Sequence, residues 1–476
     1  ETKTNPFTTL QRLTSSQPVG VGQEWASQND GSDDWLVIGK GSVPVQTAFH
    51  VTSSEMWKRN DLSWEFYQNI ETTDVDPGRY TRFGACARTA GKWTVTTDPG
   101  YTTSGTGRMW IYQYDTGSAQ WEHSQTFSAD DVKSALGLTV FSNFGDSLYV
   151  TEDTILCFGT AVPGGSSVAV LTQSADVWGV DQLISAPAEL IAQPTYEGLF
   201  GGRFYQRKDT GAIKTDNYIF VNAMRHYYDS ATGIPMSGSI YVYTASAGVW
   251  NLHQKITGSD ADYSQVSSSL ALGLSYGTKG IAAREEEDYL FWTDSMFPSE
   301  DTTANGVGPL ESKNYEGRVF VYKNNAGTWE LTQSIVPPWR YPGPLNQADD
   351  PSYWQGEMMG LRMMDVSGNY MAVSAEKDVT SFLGETSSVN TAFQLYRYRD
   401  LDEQWVYVSS FRNDERDGGS FVNEHQPGVF AGPSFCLGYP KDPAADSGSQ
   451  VVQIFNKDEM PHAEFTLDVS AGYSPL

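Results

Sequence analysis

The sequence is poor in cysteine and in long apolar runs, and each shortage excludes a class of protein. Cys86, Cys157 and Cys436 are the only cysteines among 476 residues, and so small and odd a number argues against a disulfide framework. Each lies in an apolar strand-like run, which predicts buried, unpaired thiols in a core large enough to need no covalent staples. No stretch approaches the ~18 apolar residues of a membrane span, so no transmembrane segment is expected.

Positive charge is also in deficit. The chain has 31 Lys and Arg residues against 58 Asp and Glu residues, a formal net charge of −27. An acidic surface repels phosphate backbones, so nucleic acid is not an expected partner, whereas solubility in a salty medium and attraction of cations both fit. The chain starts at Glu1 rather than Met, which fits removal of a signal peptide and equally a trimmed start. We expect an extracellular or cell-surface protein.

Signatures of catalysis are scarce. The six histidines show no metal-ligand spacing, and there is no phosphate loop or dinucleotide fingerprint. The run from Gly273 to Gly277 has the letters of a nucleophile elbow around Ser275, but that motif needs a strand-to-helix turn and this run lies in a repeat strand. A glycosidase pair would need two carboxyl groups roughly 5–10 Å apart in a deep pocket, and with so many carboxylates it stays open. A non-catalytic role is favoured.

What the sequence has in abundance is a repeat. An aromatic residue is followed four positions later by Gln, and two further on by an aliphatic residue or Phe, as in Trp64, Gln68 and Ile70. One copy keeps the frame but has Ser409 in place of Gln. The first intervals are 57 residues each and later ones are longer, which is typical of β-propeller blades with loop insertions. The anchoring aromatic residues are Phe7, Trp64, Trp121, Trp178, Trp250, Trp329, Trp405 and Phe465.

Eight anchors enclose seven units, and each unit can be divided into four strands. Alternating aromatic and aliphatic residues precede each Trp, which suits a blade sandwiched between two others. The sequence therefore predicts an all-β chain, a single seven-bladed β-propeller of four-stranded antiparallel blades. The blades are expected at approximately residues 14–70, 71–127, 128–184, 185–256, 257–335, 336–411 and 412–469, with 470–476 as a tail.

Closure of the ring leaves two alternatives. Segments 7–13 and 464–469 both have the pattern of an outermost strand, and seven blades need only one of them. A ring closed by strands from both termini leaves no free sheet edge there. We therefore expect 7–13 to complete the last blade, with 464–469 as an accessory strand.

These features resemble the FG-GAP repeats of integrin-alpha-like propellers. In that family a Trp…Gln strand leads into an acidic loop, then Phe-Gly and a Val/Ala strand. Here Gln254 precedes Asp260 and Asp262, and the pair Phe83-Gly84 matches the residues that give the family its name. The resemblance covers essentially residues 7–469 and implies the fold, while propellers host many activities.

Candidate binding residues lie in long segments. In a four-stranded blade, the connection from second to third strand and the connection to the next blade share one face, and the longest segments of this kind fall in the later blades. Long loops on one face of a rigid scaffold are where binding sites are built. Aromatic residues beside Arg or Asp suit a sugar or a protein partner, although they would also pack loops onto the ring. The candidates are His226, Tyr227, Tyr228, Trp339, Arg340, Tyr341 and Trp354.

Pairs of acidic residues recur where the chain enters an inner strand. Carboxylates close together suit Ca²⁺, which prefers six to eight hard oxygens. The calcium loop of some FG-GAP repeats, Asp-X-Asp-X-Asp-Gly, is absent, and the segment from Asp30 to Asp34 is interpreted as a hairpin turn. The alternative is that the pairs are solvated turn and cap residues. The candidate ligands are Asp74, Asp76, Asp260 and Asp262, and similar pairs occur at Asp130/Asp131, Asp349/Asp350 and Asp414/Asp417.

The function we predict is an extracellular module for binding or adhesion that recognises a protein or glycan partner, with self-assembly at a surface as a further expectation. The first alternative is a secreted polysaccharide-active enzyme, a glycosidase or lyase, with carboxylates in the central pocket. The second is a multivalent lectin with one sugar site per blade. A lectin predicts similar loops in every blade, and the unequal loops argue against it.

Overall fold

A computed structural model of the chain shows a ring of short antiparallel sheets. It describes residues 11–16, 23–42, 53–72, 83–84, 86–99, 107–162, 165–191, 199–201, 211–224, 239–257, 280–284, 289–294, 317–336, 364–375, 392–412, 428–439 and 451–456.

The described strands form seven antiparallel sheets, and this confirms the predicted seven-bladed β-propeller. From the innermost strand outwards, the first sheet contains β2 (Gln23–Gly31), β3 (Trp35–Ser42), β4 (Ser53–Asn60) and β5 (Ser63–Glu71). The second contains β6 (Cys86–Ala90), β7 (Trp93–Asp98), β8 (Arg108–Asp115) and β9 (Gln120–Ser128). In the third, β10 (Val140–Ser142) and β11 (Leu148–Val150) both pair with β12 (Thr154–Val162), which is followed by β13 (Gly165–Ser174) and β14 (Val177–Ser185).

The later sheets repeat this order. In the fourth, β15 (Leu199–Phe200) and β16 (Ala212–Lys214) pair with β17 (Tyr218–Met224), followed by β18 (Ser239–Ser246) and β19 (Val249–Thr257). The fifth contains β20 (Gly280–Arg284), β21 (Tyr289–Asp294), β22 (Arg318–Asn325) and β23 (Thr328–Ile335), and the sixth β24 (Met364–Ser367), β25 (Tyr370–Ala375), β26 (Ala392–Arg399) and β27 (Gln404–Arg412). The seventh contains β28 (Gly428–Ala431), β29 (Ser434–Tyr439), β30 (Val451–Asn456) and β1 (Gln11–Thr14).

Helix is scarce in the described part of the chain. It consists of α1 (Ala129–Ala135) between the second and third sheets and α2 (Ala188–Ile191) between the third and fourth. Neither is long and apolar enough to cross a membrane.

The innermost strands make the ring continuous. Each of them contacts the innermost strand of both neighbouring blades, and β28 contacts β2 to close the circle. Polar side chains reinforce these contacts: a carboxylate oxygen of Asp30 accepts the backbone N–H of Thr89 at 3.0 Å, and Asp365 accepts that of Phe430 at 2.7 Å. Arg88 occupies the position in the second blade that Asp30 and Asp365 occupy in theirs. Its Nε donates a hydrogen bond of 3.2 Å to the carbonyl of Leu148 in the third blade. Asp30 thus joins two blades, and the residues after it form the β2–β3 hairpin turn that we predicted.

The repeated Trp is equivalent in six blades, as predicted. Trp64, Trp121, Trp178, Trp250, Trp329 and Trp405 all lie on the outermost strand of their sheets. Each strand carries one extra residue before the Gln position; in the first blade Trp57 pairs with Phe66 and Met56 with Gln68, so that Tyr67 forms a β-bulge. The same register shift occurs in the next five blades.

The bulge explains the four-residue spacing of the motif. Side chains alternate along a strand, so a residue four positions after Trp64 would normally lie on the same face of the sheet. One extra residue turns Gln68 and Ile70 to the opposite face. Trp64 consequently packs against Leu13 of the preceding blade, while Ile70 packs against Trp110 of the following blade.

The glutamines latch neighbouring blades together. Gln68 donates from Nε2 to the carbonyl of Trp121 at 2.9 Å, and its Oε1 accepts the backbone N–H of Trp121 at 2.8 Å. The amide thereby imitates one residue of an added strand. Among the described residues, six seams have this pair of bonds, with lengths between 2.6 and 3.1 Å. At the seam between the sixth and seventh blades, Ser409 stands in the position of the Gln.

Replacement of Gln125 by alanine is expected to lower the free energy of unfolding by about 1–3 kcal/mol. The change removes two hydrogen bonds and leaves the part-buried N–H and C=O of Trp178 without their partner. A denaturant titration measures the loss. Gln120→Ala, at an exposed position of the same strand, is the control and should change the value by less than about 0.5 kcal/mol. Equal losses in the two variants would contradict the latch.

The amino-terminal strand closes the ring, as we expected. β1 pairs with β30 in the seventh sheet, and Gln11 latches Trp64 of the first blade with two bonds of 2.7 Å. Beyond β1, the fully buried Glu55 carboxylate accepts hydrogen bonds from Ser15 Oγ at 2.7 Å and from Ser16 N and Oγ at 3.0 Å. The segment after the strand is thus fixed to the first blade by a buried charge.

The cysteines are buried and unpaired, which confirms the prediction. Cys86 lies on the innermost strand β6, whereas Cys157 and Cys436 lie on the second strands β12 and β29 of two other blades. Burial raises the pKa of the Cys157 thiol well above its ordinary value, because the thiolate would lose its hydration.

Candidate binding face

The two ends of the ring differ in how the strands are connected. At one end, here called the turn face, the chain passes from first to second strand and from third to fourth strand in 2–4 residues. At the other end, the loop face, it passes from second to third strand and from blade to blade, in segments of 2 to 28 residues. Because the strands of each sheet are antiparallel, both kinds of loop-face connection must leave from the same end.

The loop-face connections are unequal around the ring. Those between second and third strand are residues 43–52 in the first blade and 163–164 in the third, but 225–238, 295–317 and 376–391 in the fourth, fifth and sixth. The longest connection between blades is 336–363. Elaboration of the loop face is therefore concentrated on one side of the ring.

The candidate residues predicted from the sequence belong, along the chain, to segments between described strands. All of them lie outside the described residues, and their roles as metal ligands or partner contacts remain predictions. Asp74 and Asp76 are in the β5–β6 connection, Asp260 and Asp262 in the β19–β20 connection, His226, Tyr227 and Tyr228 in the β17–β18 connection, and Trp339, Arg340, Tyr341 and Trp354 in the β23–β24 connection.

One of the acidic pairs, Asp130 and Asp131, lies within the described residues. Ser128 caps the N-terminus of α1, where its Oγ accepts the backbone N–H of Asp131 at 3.2 Å and the Asp131 carboxylate accepts the N–H of Ser128 at 2.7 Å. Asp130 forms an ion pair with Lys133 at 2.5 Å. These carboxylates are cap and surface residues, the second of the two interpretations offered for the pairs. Within the described stretches, no group of three or more His, Cys, Asp or Glu side chains could hold a metal ion.

The turn face carries a row of aromatic contacts that sequence reasoning missed. At three seams the outer-strand Trp packs on the aromatic residue that begins the second strand of the preceding blade, and at one of them Trp329 meets Tyr218 at 5.3 Å. Trp121 meets Trp35 with ring centroids 5.1 Å apart, and Trp178 meets Trp93 at 5.3 Å, both edge to face. Such pairs contribute about 0.5–1.5 kcal/mol beyond the area they bury.

At the seam between the first and second blades this row widens into a cluster around a lysine. The ammonium group of Lys58 lies 5.5 Å from the ring centroids of Trp35 and Tyr67 and 5.9 Å from that of Tyr114. We call these three rings the aromatic box. Trp35 is 6% exposed and forms its floor, the two tyrosines are half-buried, and Lys58 is exposed.

The tyrosine hydroxyls of the box are already engaged. The hydroxyls of Tyr67 and Tyr114 lie 3.2 Å apart, and Tyr67 also donates to the carbonyl of Ala119. The hydrogen bond with Tyr114, together with burial, raises the pKa of Tyr67 to about 12. Both hydroxyl hydrogens of the box are therefore used within the seam, and the three rings are the groups over which the lysine ammonium lies.

Comparisons with known proteins identify no family for the chain, and the similar solved structures have TM-scores below 0.5. No protein-family model matches the chain, and no curated protein matches it significantly. The periplasmic gluconolactonase of Pseudomonas aeruginosa is 10% identical over 91% of this chain and 96% of its own, with a TM-score of 0.45. The alpha-L-arabinanase of Penicillium chrysogenum is 12% identical over 78% and 94%, with a TM-score of 0.39. The WD40 domain of SCAP from fission yeast is 9% identical over 95% and 96%, with a TM-score of 0.38.

At these identities and TM-scores, the likenesses carry no argument about activity. None of these three proteins is an FG-GAP protein, so the resemblance to that family remains a prediction.

Proposed function

We propose that this chain is an extracellular or cell-surface module that binds a protein or glycan partner through its loop face, without catalysis. The observation that carries the proposal is the one-sided distribution of long connections, from residues 225–238 through 295–317 and 336–363 to 376–391. On the opposite face, the strands are connected by turns of 2–4 residues in every blade. Long loops clustered on one face of a rigid scaffold are typical of binding sites.

The rest of the ring supports such a role because contacts between the blades fix the positions of the strand ends from which the loops start. Neighbouring blades are joined at the rim by Gln–Trp latches and near the axis by Asp30, Arg88 and Asp365. A scaffold whose blades are joined both at the rim and near the axis loses little conformational entropy when a partner binds, and this favours affinity. Unequal connections favour one partner on one side over a ring of identical sugar sites.

The residue types in these connections suit recognition. Trp339, Arg340 and Tyr341 are neighbours in the β23–β24 connection, and Tyr227 and Tyr228 follow His226 in the β17–β18 connection. Tyr, Trp and Arg are the side chains most enriched at binding hot spots, because they combine large contact area with polar groups. A surface with a net charge of −27 further favours a neutral or basic partner.

Separate shortening of 336–355 and of 226–238 is expected to reduce attachment at least about tenfold, because each deletion removes aromatic anchors worth about 2 kcal/mol or more, and the first also removes Arg340. Attachment is measured to an array of defined oligosaccharides and to the surface of cells that produce the protein. The matched control shortens 43–52, a connection of the same class in the first blade, and should leave attachment unchanged.

Two outcomes would contradict the proposal. Folded variants that attach as well as the parent, while the 43–52 variant fails, would place the site on the wrong side of the ring. Release of shorter products from the oligosaccharides by the parent protein would favour the polysaccharide-active enzyme instead.

A further inference from the structure

The aromatic box at the seam of the first and second blades has a close structural counterpart at the seam of the fifth and sixth. Lys323 corresponds to Lys58, since each pairs with the residue that begins the second strand, Tyr289 and Trp35 respectively. The next blade contributes Tyr398 in one case and Tyr114 in the other, each opposite the repeated Trp. In both seams two tyrosine hydroxyls meet, at 3.1 Å and 3.2 Å.

The counterpart seam neutralises its lysine with a carboxylate. Lys323 Nζ lies 2.7 Å from Glu403 and 5.4 Å from the single ring of Tyr289. The position of Glu403, the last residue before the outermost strand, is held by Ala119 at the first seam. The bulge position that is Thr332 in the fifth blade is Tyr67 in the first. At the first seam a third ring has thus replaced the acid.

We propose that Trp35, Tyr67 and Tyr114 form a binding site for a small quaternary ammonium ligand, with Lys58 as an internal occupant that the ligand displaces. Rings arranged around one cation are attracted to it through their negative faces, and a methylated ammonium offers the same charge at a lower cost of desolvation. A methylated ammonium needs no hydrogen-bond acceptor, so the ring faces alone can hold it, while the hydroxyl hydrogens of the box are used between Tyr67, Tyr114 and Ala119.

The placement of Lys58 makes the displacement feasible. The side chain is exposed and reaches the rings from solvent, and among the described residues no carboxylate lies within ion-pair distance of it. Its departure therefore breaks no ion pair and opens the faces of three rings at the surface. The acidic surface of the protein concentrates cations near this opening.

The test removes the occupant. Choline and tetramethylammonium are titrated into the parent and into Lys58→Ala, with binding followed by tryptophan fluorescence and by ligand-observed NMR. We expect Lys58→Ala to bind both at least about tenfold more tightly than the parent, since the ligand no longer competes with a tethered cation. Lys58→Gln, which also removes the charge, should behave in the same way and guards against an effect of truncating the side chain.

Matched variants establish which rings are responsible. Lys323→Ala removes the equivalent lysine from a seam without the third ring and should bind choline no better than the parent. In the Lys58→Ala background, Tyr67→Ala should abolish binding, whereas Tyr67→Phe, which keeps the ring, should retain it. The neutral isostere 3,3-dimethyl-1-butanol should bind at least about tenfold more weakly than choline.

Either of two results would overturn the proposal. One is a Lys58→Ala protein that is folded, with the melting temperature of the parent, and yet binds choline no better than Lys323→Ala. The other is equal binding of choline and its neutral isostere, which would identify an apolar crevice rather than a cation site.

Discussion

A chain that lacks residues 1–16 is expected to lose most of its folded population. The truncation removes β1, the fourth strand of the seventh sheet, and exposes the edge of β30. It also removes the buried Leu13 side chain, the latch from Gln11 to Trp64 and the hydrogen bonds of Ser15 and Ser16 to the buried Glu55. Burial of one such leucine contributes about 2–5 kcal/mol, and each hydrogen bond to a buried charge about 1.5–3 kcal/mol. The sum is comparable with a typical folding stability of about 5–15 kcal/mol.

Size-exclusion chromatography and resistance to trypsin measure this loss, and a peptide can reverse it. A synthetic peptide of residues 7–16 added in excess should restore a protected monomer, because it can pair with β30 as β1 does. The same peptide with Gln11→Ala should restore less, since the latch to Trp64 is missing. The opposite result would be a truncated chain that stays monomeric and has the same melting temperature as the parent. It would show that another segment supplies the closing strand, and 464–469 would be the first candidate.

Trp178→Ala is expected to lower the free energy of unfolding by about 3–5 kcal/mol. The side chain is 2% exposed and packs edge to face on Trp93 of the preceding blade, so its removal leaves a cavity at a seam that cannot collapse without moving a sheet. Denaturant titration gives the magnitude, with the backbone latch from Gln125 left in place because it involves only main-chain atoms of residue 178.

The neighbouring residue supplies the control for this variant. Val177 is 62% exposed on the same strand, and its replacement by alanine should change stability by less than about 0.5 kcal/mol. Trp178→Phe, which keeps an aromatic ring against Trp93, should lose clearly less than Trp178→Ala. Losses of the same size for all three substitutions would mean that the seam is held by the backbone latch rather than by the ring.

The repeat could be recognised from the sequence because its signals are local. A Trp at a regular interval, followed by alternating side chains, specifies strands and their faces without reference to the rest of the chain. The purpose of the Gln was not predictable in the same way. Its orientation depends on a bulge at residues such as Tyr67, which only the pairing with β4 shows, and its partner is the backbone of a Trp 53 or more residues away.

The same distinction between local sequence signals and contacts between blades applies to the candidate sites. For Asp130 and Asp131, cap residues were one of the two interpretations of the acidic pairs, and the structure shows a helix cap, although the sequence analysis did not predict the helix. The aromatic box was missed because no linear pattern joins Trp35, Lys58 and Tyr114. Two of them lie in one blade and the third in the next, so their proximity arises from the seam and not from spacing along the chain.

The sequence by itself determined the number of blades, the equivalence of the six Trp residues and the burial of the three cysteines. These follow from the period of the repeat, the alternation of side chains along each strand and the apolar residues around each cysteine, all of which are local features of the amino-acid sequence. Only the tertiary structure decided which terminus closes the ring, what the glutamines bind and that a lysine lies among three aromatic rings. Each of those depends on how two sheets meet face to face, and side chains from separate blades come within contact distance only after the whole ring has closed.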